Sequence, residues 1–283
     1  MNPQCEDSHI IPAFVIRWLK KTSATGFMRG TKDPNQRLQD GKKYPLLCEQ
    51  CEDRISVFEG DFASEVFHPY THSKQVGLPY GESCLKFFVS LVWRALHHLW
   101  ITDTDPAKPL QPEFQGALDK PYHVWREFLL GQRPHPGSFT VHVFPVDDVT
   151  GSTVQNTPSK ASQYNTGAID MDLVCCDSWG HVYVKIPYFL VFGTVFEKRS
   201  PKFSTNTLVR LKKGNLGGLN MAMPENVMEY VHSRGRLVEA QSKLLSEKQR
   251  GVLLKAVERD PKRVAESRSL RSAEFDAKLK FES

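Results

Sequence analysis

The residues best suited to chemistry lie in two short segments near the start of the chain. The first segment holds Cys5 and His9, which are separated by three residues. The second holds Cys48 and Cys51 in a C-x-x-C arrangement, with Glu52 directly after it. Thiolates and imidazoles are preferred zinc ligands, and four of them complete a tetrahedral site. The two segments therefore predict one structural Zn²⁺ site, with Cys5, His9, Cys48 and Cys51 as ligands.

A basic stretch lies between these two segments. Residues 13–44 contain eight basic side chains and two acidic ones, an excess of six positive charges, whereas the whole chain carries a net charge of +5. Such a run beside a small metal site is a typical electrostatic footprint for DNA or RNA. A solvated, lysine-rich loop is the alternative interpretation. The predicted nucleic-acid-binding residues are Arg17, Lys20, Lys21, Arg29, Lys32, Arg37, Lys42 and Lys43.

Composition limits the class of protein. The start of the chain lacks the pattern of a signal peptide, and no uncharged apolar run approaches the ~20 residues that span a bilayer. We therefore expect a cytoplasmic protein with no membrane partner, in which C-x-x-C is more often metal-binding than a structural disulfide. Three further cysteines, Cys84, Cys175 and Cys176, lie in apolar runs and are predicted to be small buried residues.

Periodicity predicts an α+β fold that positions these segments. Apolar residues at helical spacing predict helices over 13–21, from 52 to about 68, over 82–101 and over 122–130. Alternating and β-branched runs at 139–144, 169–174, 181–186 and 188–196 predict a mostly antiparallel sheet. Asp170 and Asp172 share one strand face, which is more often the solvated side of an edge strand than a metal site. From Glu225 onward a strongly charged helical tail is expected, interrupted at Pro261.

The region from about Cys5 to Phe67 resembles the HNH/treble-clef nuclease pattern. The resemblance rests on the run Ser8 to Pro12 (Ser-His-Ile-Ile-Pro), Asn35 in the following loop, and the Leu-Cys-x-x-Cys run that ends at Cys51. It implies a treble-clef-like zinc lobe, with His9 as the general base that activates water against a phosphodiester. Asn35 would orient the His9 imidazole, and Ser8 and Glu52 would hold Mg²⁺ or Mn²⁺.

A second resemblance covers most of the chain. It is to a family of uncharacterised bacterial proteins with a Ser-His-Ile-Ile-Pro run, a Leu-Cys-x-x-Cys-Glu run and a helix like that of Phe87–Arg94. That family implies no particular activity. The predicted organisation is a zinc lobe over 1–75, an α+β core domain over 76–222 and the charged tail over 223–283.

Two functional hypotheses follow. The first is an HNH-like, metal-dependent nuclease acting on DNA or RNA as an effector of a defence system or mobile element, with His9, Asn35 and Glu52 as catalytic residues. The second is a non-enzymatic, zinc-stabilised protein that binds nucleic acid or assembles a complex through its helical tail. His9 separates the two hypotheses because a closed zinc site would leave it unable to act as a base.

Overall fold

The structure is a computed structural model that describes residues 5–30, 33–73, 77–102, 112–149, 157–198, 203–217, 221 and 223–282. It contains both helices and small antiparallel sheets, so the predicted α+β class is confirmed. No helix within these ranges combines the length and the apolar content needed to cross a bilayer.

The N-terminal lobe is a pair of strands followed by a long helix. Strand β1 pairs antiparallel with β4, and Cys48 caps the helix α2 that follows β4 directly. Neither strand was predicted. Pro45 has no backbone N–H to donate within β4, and neither strand shows a clear alternation of apolar and polar residues. The elements are β1 (Glu6–His9), α1 (Ala13–Thr22), β2 (Met28–Arg29), β3 (Arg37–Leu38), β4 (Lys43–Leu47) and α2 (Glu49–Phe62), then a π-helical turn (Ala63–Phe67) and α3 (His68–Ser73).

The middle of the chain is a sheet packed on helices. Four antiparallel strands lie in the order β6-β9-β8-β7, and β5 pairs separately with β10. The central strand β8 is buried on both faces, with Val182 and Val184 packed toward α4 and Tyr183 in the cluster on the other side. The elements are β5 (Leu78–Tyr80), α4 (Glu82–His97), a π-helical turn (His98–Thr102), α5 (Pro112–Leu129), β6 (Val141–Pro145), α6 (Ala161–Gly167), β7 (Asp170–Cys176), β8 (Trp179–Ile186), β9 (Phe189–Glu197) and β10 (Gly214–Leu216).

One apolar core joins the lobe to the sheet. Val15 of α1, Phe62 of α2, Phe88 of α4 and Val191 of β9 belong to a single cluster of buried side chains. Phe62 stacks on Phe87 of α4 with ring centroids 3.8 Å apart. The cluster therefore crosses the predicted domain boundary at residue 75, while the division into three domains stays a prediction.

Two expectations about the sheet were wrong. Asp170 and Asp172 lie on the edge strand β7, yet they are not simply solvated. Arg234 donates to both carboxylates, at 2.8 and 2.9 Å, because the helix over Glu225–Lys243 covers this face. Cys175 and Cys176 are exposed, since they end β7 beyond the core, whereas Cys84 is buried as expected.

The charged tail packs against its own chain. Its helices are α7 (Glu225–Lys243), α8 (Glu247–Arg259), α9 (Pro261–Glu266) and α10 (Arg268–Glu282), so the predicted break falls at Pro261. Asp276 of α10 accepts hydrogen bonds from the backbone amides of Ser162 and Gln163 at the start of α6. Arg263 of α9 donates to the carbonyls of Lys20 and Ser23 at the end of α1. The tail therefore closes over the N-terminal lobe.

Candidate active site at His9

The register of the β1–β4 pair decides where the predicted site residues lie. His9 stands opposite Lys43, and Glu6 stands opposite Leu47, beside Cys48. Because an extended strand rises about 3.3 Å per residue, the four positions from Cys5 to His9 span about 13 Å. The cysteine end and the histidine end of β1 are therefore two separate places.

At the histidine end, the imidazole of His9 forms a pair with Asp40. The His9 Nε2 atom lies 2.9 Å from Asp40 Oδ1, and Lys43 Nζ lies 2.7 Å from Asp40 Oδ2. The hydrogen bonds from Lys43 and from His9 hold the pKa of Asp40 well below its usual range. An ionised carboxylate only accepts hydrogen bonds, so the proton of this contact belongs to His9 Nε2. The Nδ1 atom of His9 is then the basic nitrogen, and no described residue hydrogen-bonds to it.

Gly41 allows the loop to bring Asp40 against His9. A Cβ atom at Gly41 would lie 3.2 Å from Ile16 Cδ1, which is tighter than most real Cβ contacts, and 3.5 Å from His9 Cδ2, which is an ordinary contact distance. The backbone amide of Gly41 also donates to Asp40 Oδ1 at 2.9 Å. The carboxylate is thus fixed by its own loop as well as by the histidine.

A buried arginine holds the backbone of His9. The side chain of Arg94 on α4 is 2 % exposed, and its Nη1 donates to the His9 carbonyl oxygen at 2.9 Å. Its Nη2 donates to Glu59 Oε1 of α2 at 2.8 Å. This one guanidinium therefore connects β1, α2 and α4 and sets the position from which the imidazole projects.

Cationic side chains lie beside the His9–Asp40 pair. Besides Lys43, Lys20 donates to the carbonyl of Gln39, the neighbour of Asp40, at 2.9 Å. Lys42 Nζ lies 3.2 Å from His98 Nε2. Two of the predicted nucleic-acid-binding residues, Lys20 and Lys43, therefore lie beside the pair, whereas the Lys42 side chain contacts the buried His98.

The remaining predicted basic residues do not join this cluster through any described contact. Arg29 and Arg37 both lie over the ring of Phe27, with Cζ 5.3 and 4.4 Å from its centroid. Arg17 and Lys21 are exposed on α1. Lys32 lies outside the described residues.

Asn35 does not orient His9, so that prediction was wrong. Its Oδ1 accepts the backbone amide of Ser246 at 2.8 Å, and its Nδ2 donates to the carbonyl of Leu244 at 3.4 Å. Asn35 therefore attaches the loop to the link between α7 and α8. Asp40 takes the orienting role that the resemblance implied for Asn35.

Ser8 and Glu52 do not form a metal-ligand pair with His9. The Ser8 hydroxyl is buried, donates to the Glu6 carbonyl and accepts the Leu47 amide, so it fastens β1 to β4. The carboxylate that is connected to the His9 backbone, through Arg94, is that of Glu59. Glu52 lies two helical turns before Glu59 on α2, about 10 Å along the helix axis. Glu52 Oε1 is shielded from solvent and has no hydrogen-bond partner within the described part of the chain.

The cysteine end holds a different group. The Sγ atoms of Cys48 and Cys51 lie 3.4 Å apart, and Cys5 lines the same cavity of about 190 Å³. Hydrogen bonds from Cys51 lower the pKa of Cys48, while burial raises the pKa of Cys51. Among the described residues no three His, Cys, Asp or Glu side chains are placed to hold one ion. The predicted set of four is therefore not assembled, and His9 is separated from the cysteines by the length of β1.

Sequence reasoning missed Asp40, Glu59 and Arg94. Asp40 is followed by Gly41 and Lys42, which is an ordinary turn composition and gives no catalytic signal. Arg94 did carry a signal, since it lies among apolar residues in the predicted helix over 82–101 and a buried charge requires a partner.

No protein-family model, curated protein or solved structure matches this chain.

Replacing Arg94 tests whether its guanidinium holds β1 against α2 and α4. Arg94→Met should lower the free energy of unfolding by about 3–5 kcal/mol, because it leaves the Glu59 carboxylate without its buried partner. Denaturant unfolding measures this loss, with the exposed Arg17→Met as the matched control, expected within about 0.5 kcal/mol of the wild type. A loss as small as that of the control would show that Arg94 does not hold the lobe.

Proposed function

We propose that this protein is an HNH-like nuclease that hydrolyses phosphodiester bonds of DNA or RNA with His9 as the general base. The observation that carries the proposal is the His9–Asp40 pair, with Lys43 on the Asp40 carboxylate and Lys20 on the carbonyl of the neighbouring Gln39. An imidazole oriented by a carboxylate, with cations nearby, suits an anionic substrate that reacts with water.

The residues supply a definite division of labour. His9 Nδ1 takes a proton from water as the water oxygen attacks phosphorus, and the alcohol oxygen of the broken P–O bond leaves and is protonated by solvent. Asp40 stabilises the imidazolium that forms, as a carboxylate does for a histidine base. The lysines attract the phosphodiester, and Arg94 keeps the His9 backbone in place.

The proposal includes Mg²⁺ or Mn²⁺, which would neutralise the charge on the phosphoryl oxygens. The described residues around His9 do not form a three-ligand group for such an ion.

We also propose zinc at the cysteine end of β1. Two sulfurs that share a zinc ion at about 2.3 Å each lie about 3.8 Å apart at a tetrahedral angle, close to the 3.4 Å between Cys48 and Cys51. Cys5 lines the same cavity, and it would have to approach the two thiols to become a third ligand, because the described residues form no three-ligand group here. Zinc here would fasten the start of α2 to β1 and leave His9 free.

Metal analysis tests the zinc proposal. The purified protein should contain zinc, and Cys48→Ser should lose it because the site loses a thiolate ligand. His9→Ala should retain zinc, and so should Cys175→Ser, an exposed cysteine outside the lobe. Zinc that disappears with His9 would return this histidine to the ligand set and remove it from catalysis.

Cleavage assays test the nuclease proposal. With Mg²⁺ or Mn²⁺, the protein should cut DNA or RNA, and His9→Ala should slow cutting by about 10²- to 10⁴-fold, the usual contribution of a general base. Asp40→Asn should also slow cutting, since the amide no longer stabilises the imidazolium. The matched control is His123→Ala, an exposed histidine that contacts Asp119 and the ring of Tyr122 on its own helix.

Two outcomes would contradict catalysis at His9. The first is cutting by His9→Ala at the wild-type rate. The second is nucleic-acid binding that weakens steeply with salt but produces no cleavage with either metal. The second outcome would support the alternative of a non-enzymatic, zinc-stabilised nucleic-acid-binding or complex-assembly protein.

A further inference from the structure

A second cavity lies between the two ends of the chain. It has a volume of about 290 Å³ and is lined by residues of α1, β2, α6, α7 and α10. It shares no lining residue with the His9–Asp40 pair or with the cavity of the cysteines. Its walls contain two arginines, Arg29 and Arg268, and no carboxylate among the described residues.

Arg29 is a cation without an acidic partner in the described structure. Its Nη1 donates to the Pro34 carbonyl at 2.7 Å and its Nη2 to Gln249 Oε1 at 3.1 Å. Its Nε is shielded from solvent and has no hydrogen-bond partner among the described residues. Burial and the charge of Arg37 both lower the pKa of Arg29, so an anion at this wall would relieve an unfavourable arrangement.

Arg268 supplies the second guanidinium. Its Nη2 is bonded to Asp147 and Asp148, which neutralise its charge. Its Nε, like that of Arg29, is shielded and has no partner in the described part of the chain. Because solvent cannot reach this Nε, a ligand in the cavity cannot reach it either. The donor available there is Nη1, which takes part in neither of the bonds to Asp147 and Asp148.

The rest of the wall is largely apolar. Trp18 and Phe27 line one part of it, and Ile169 and Val238 line another. At about 290 Å³ the space is at the lower end of small-molecule pockets, which suits a small ligand that joins an aromatic ring to one charged group through a short linking group. Guanidinium groups favour phosphate and carboxylate, and their fork of donors binds phosphate oxygens well.

We propose that this cavity binds a nucleoside monophosphate, with the phosphate at Arg29 and Arg268 and the base against the apolar wall. Arg29 lies on β2 of the N-terminal lobe, whereas Arg268 begins the last helix, so the ligand would fasten the C-terminal helices to the N-terminal lobe. This binding goes beyond phosphodiester cleavage and does not depend on it.

Calorimetry and thermal unfolding of the full chain test this site with adenosine 5′-monophosphate as the probe. The nucleotide should bind and raise the melting temperature, because a ligand of the native state stabilises it by mass action. Adenosine and inorganic phosphate should each bind at least about tenfold more weakly, since each fills only one part of the site. If inorganic phosphate binds as tightly as the nucleotide, the proposed contact between the base and the apolar wall is wrong.

Two variants locate the site. Arg29→Gln removes the unneutralised charge, and Val238→Phe fills the apolar wall while both arginines stay; each should raise the dissociation constant at least about tenfold. Arg259→Gln, an exposed arginine of α8, is the control and should bind like the wild type. Absence of binding at millimolar nucleotide, or wild-type binding by both cavity variants, would overturn the proposal. Neither readout involves cleavage, so a failure here is distinct from a failure of His9 catalysis.

Discussion

The arrangement of the N-terminal lobe depends on the buried guanidinium of Arg94. A charge in the core is tolerated only when it is paired and its donors are used, and Arg94 meets both conditions through Glu59 and the His9 carbonyl. Because these partners belong to α2 and β1, the arginine fixes the strand that carries His9 against two helices at once. The imidazole can then project from an immobile backbone, which a positioned base requires.

The same strand separates two kinds of chemistry. Cys48 and Cys51 start α2 at one end of the β1–β4 pair, and His9 lies with Asp40 at the other end. The sequence hypotheses competed for His9 because they treated these residues as one group. In the structure the thiols and the imidazole are far enough apart for zinc binding and general-base chemistry to be independent proposals.

The sequence predicted well whatever depends on local periodicity. Apolar residues at regular spacing predict secondary structure from neighbouring residues alone. This spacing predicted the helix over 82–101, the antiparallel strands β7 to β9 and the helices after Glu225. The sequence could not show Asp40 as the partner of His9, because the contact joins residues 31 positions apart through an irregular loop. The link from Arg94 to His9 spans 85 positions and depends on how β1 packs on α4. Asn35 was misassigned because its position in the loop says nothing about the C-terminal helices that it meets.

The central claim is that Asp40 fixes His9 as the tautomer protonated at Nε2, with Nδ1 free to take a proton. Long-range ¹H–¹⁵N spectra of the histidine side chains, recorded where His9 is neutral, measure this directly. We expect a protonated Nε2 and an unprotonated Nδ1 for His9 in the wild type, with that preference lost in Asp40→Asn. A His9 ring protonated at Nδ1, or a tautomer that Asp40→Asn leaves unchanged, would contradict it.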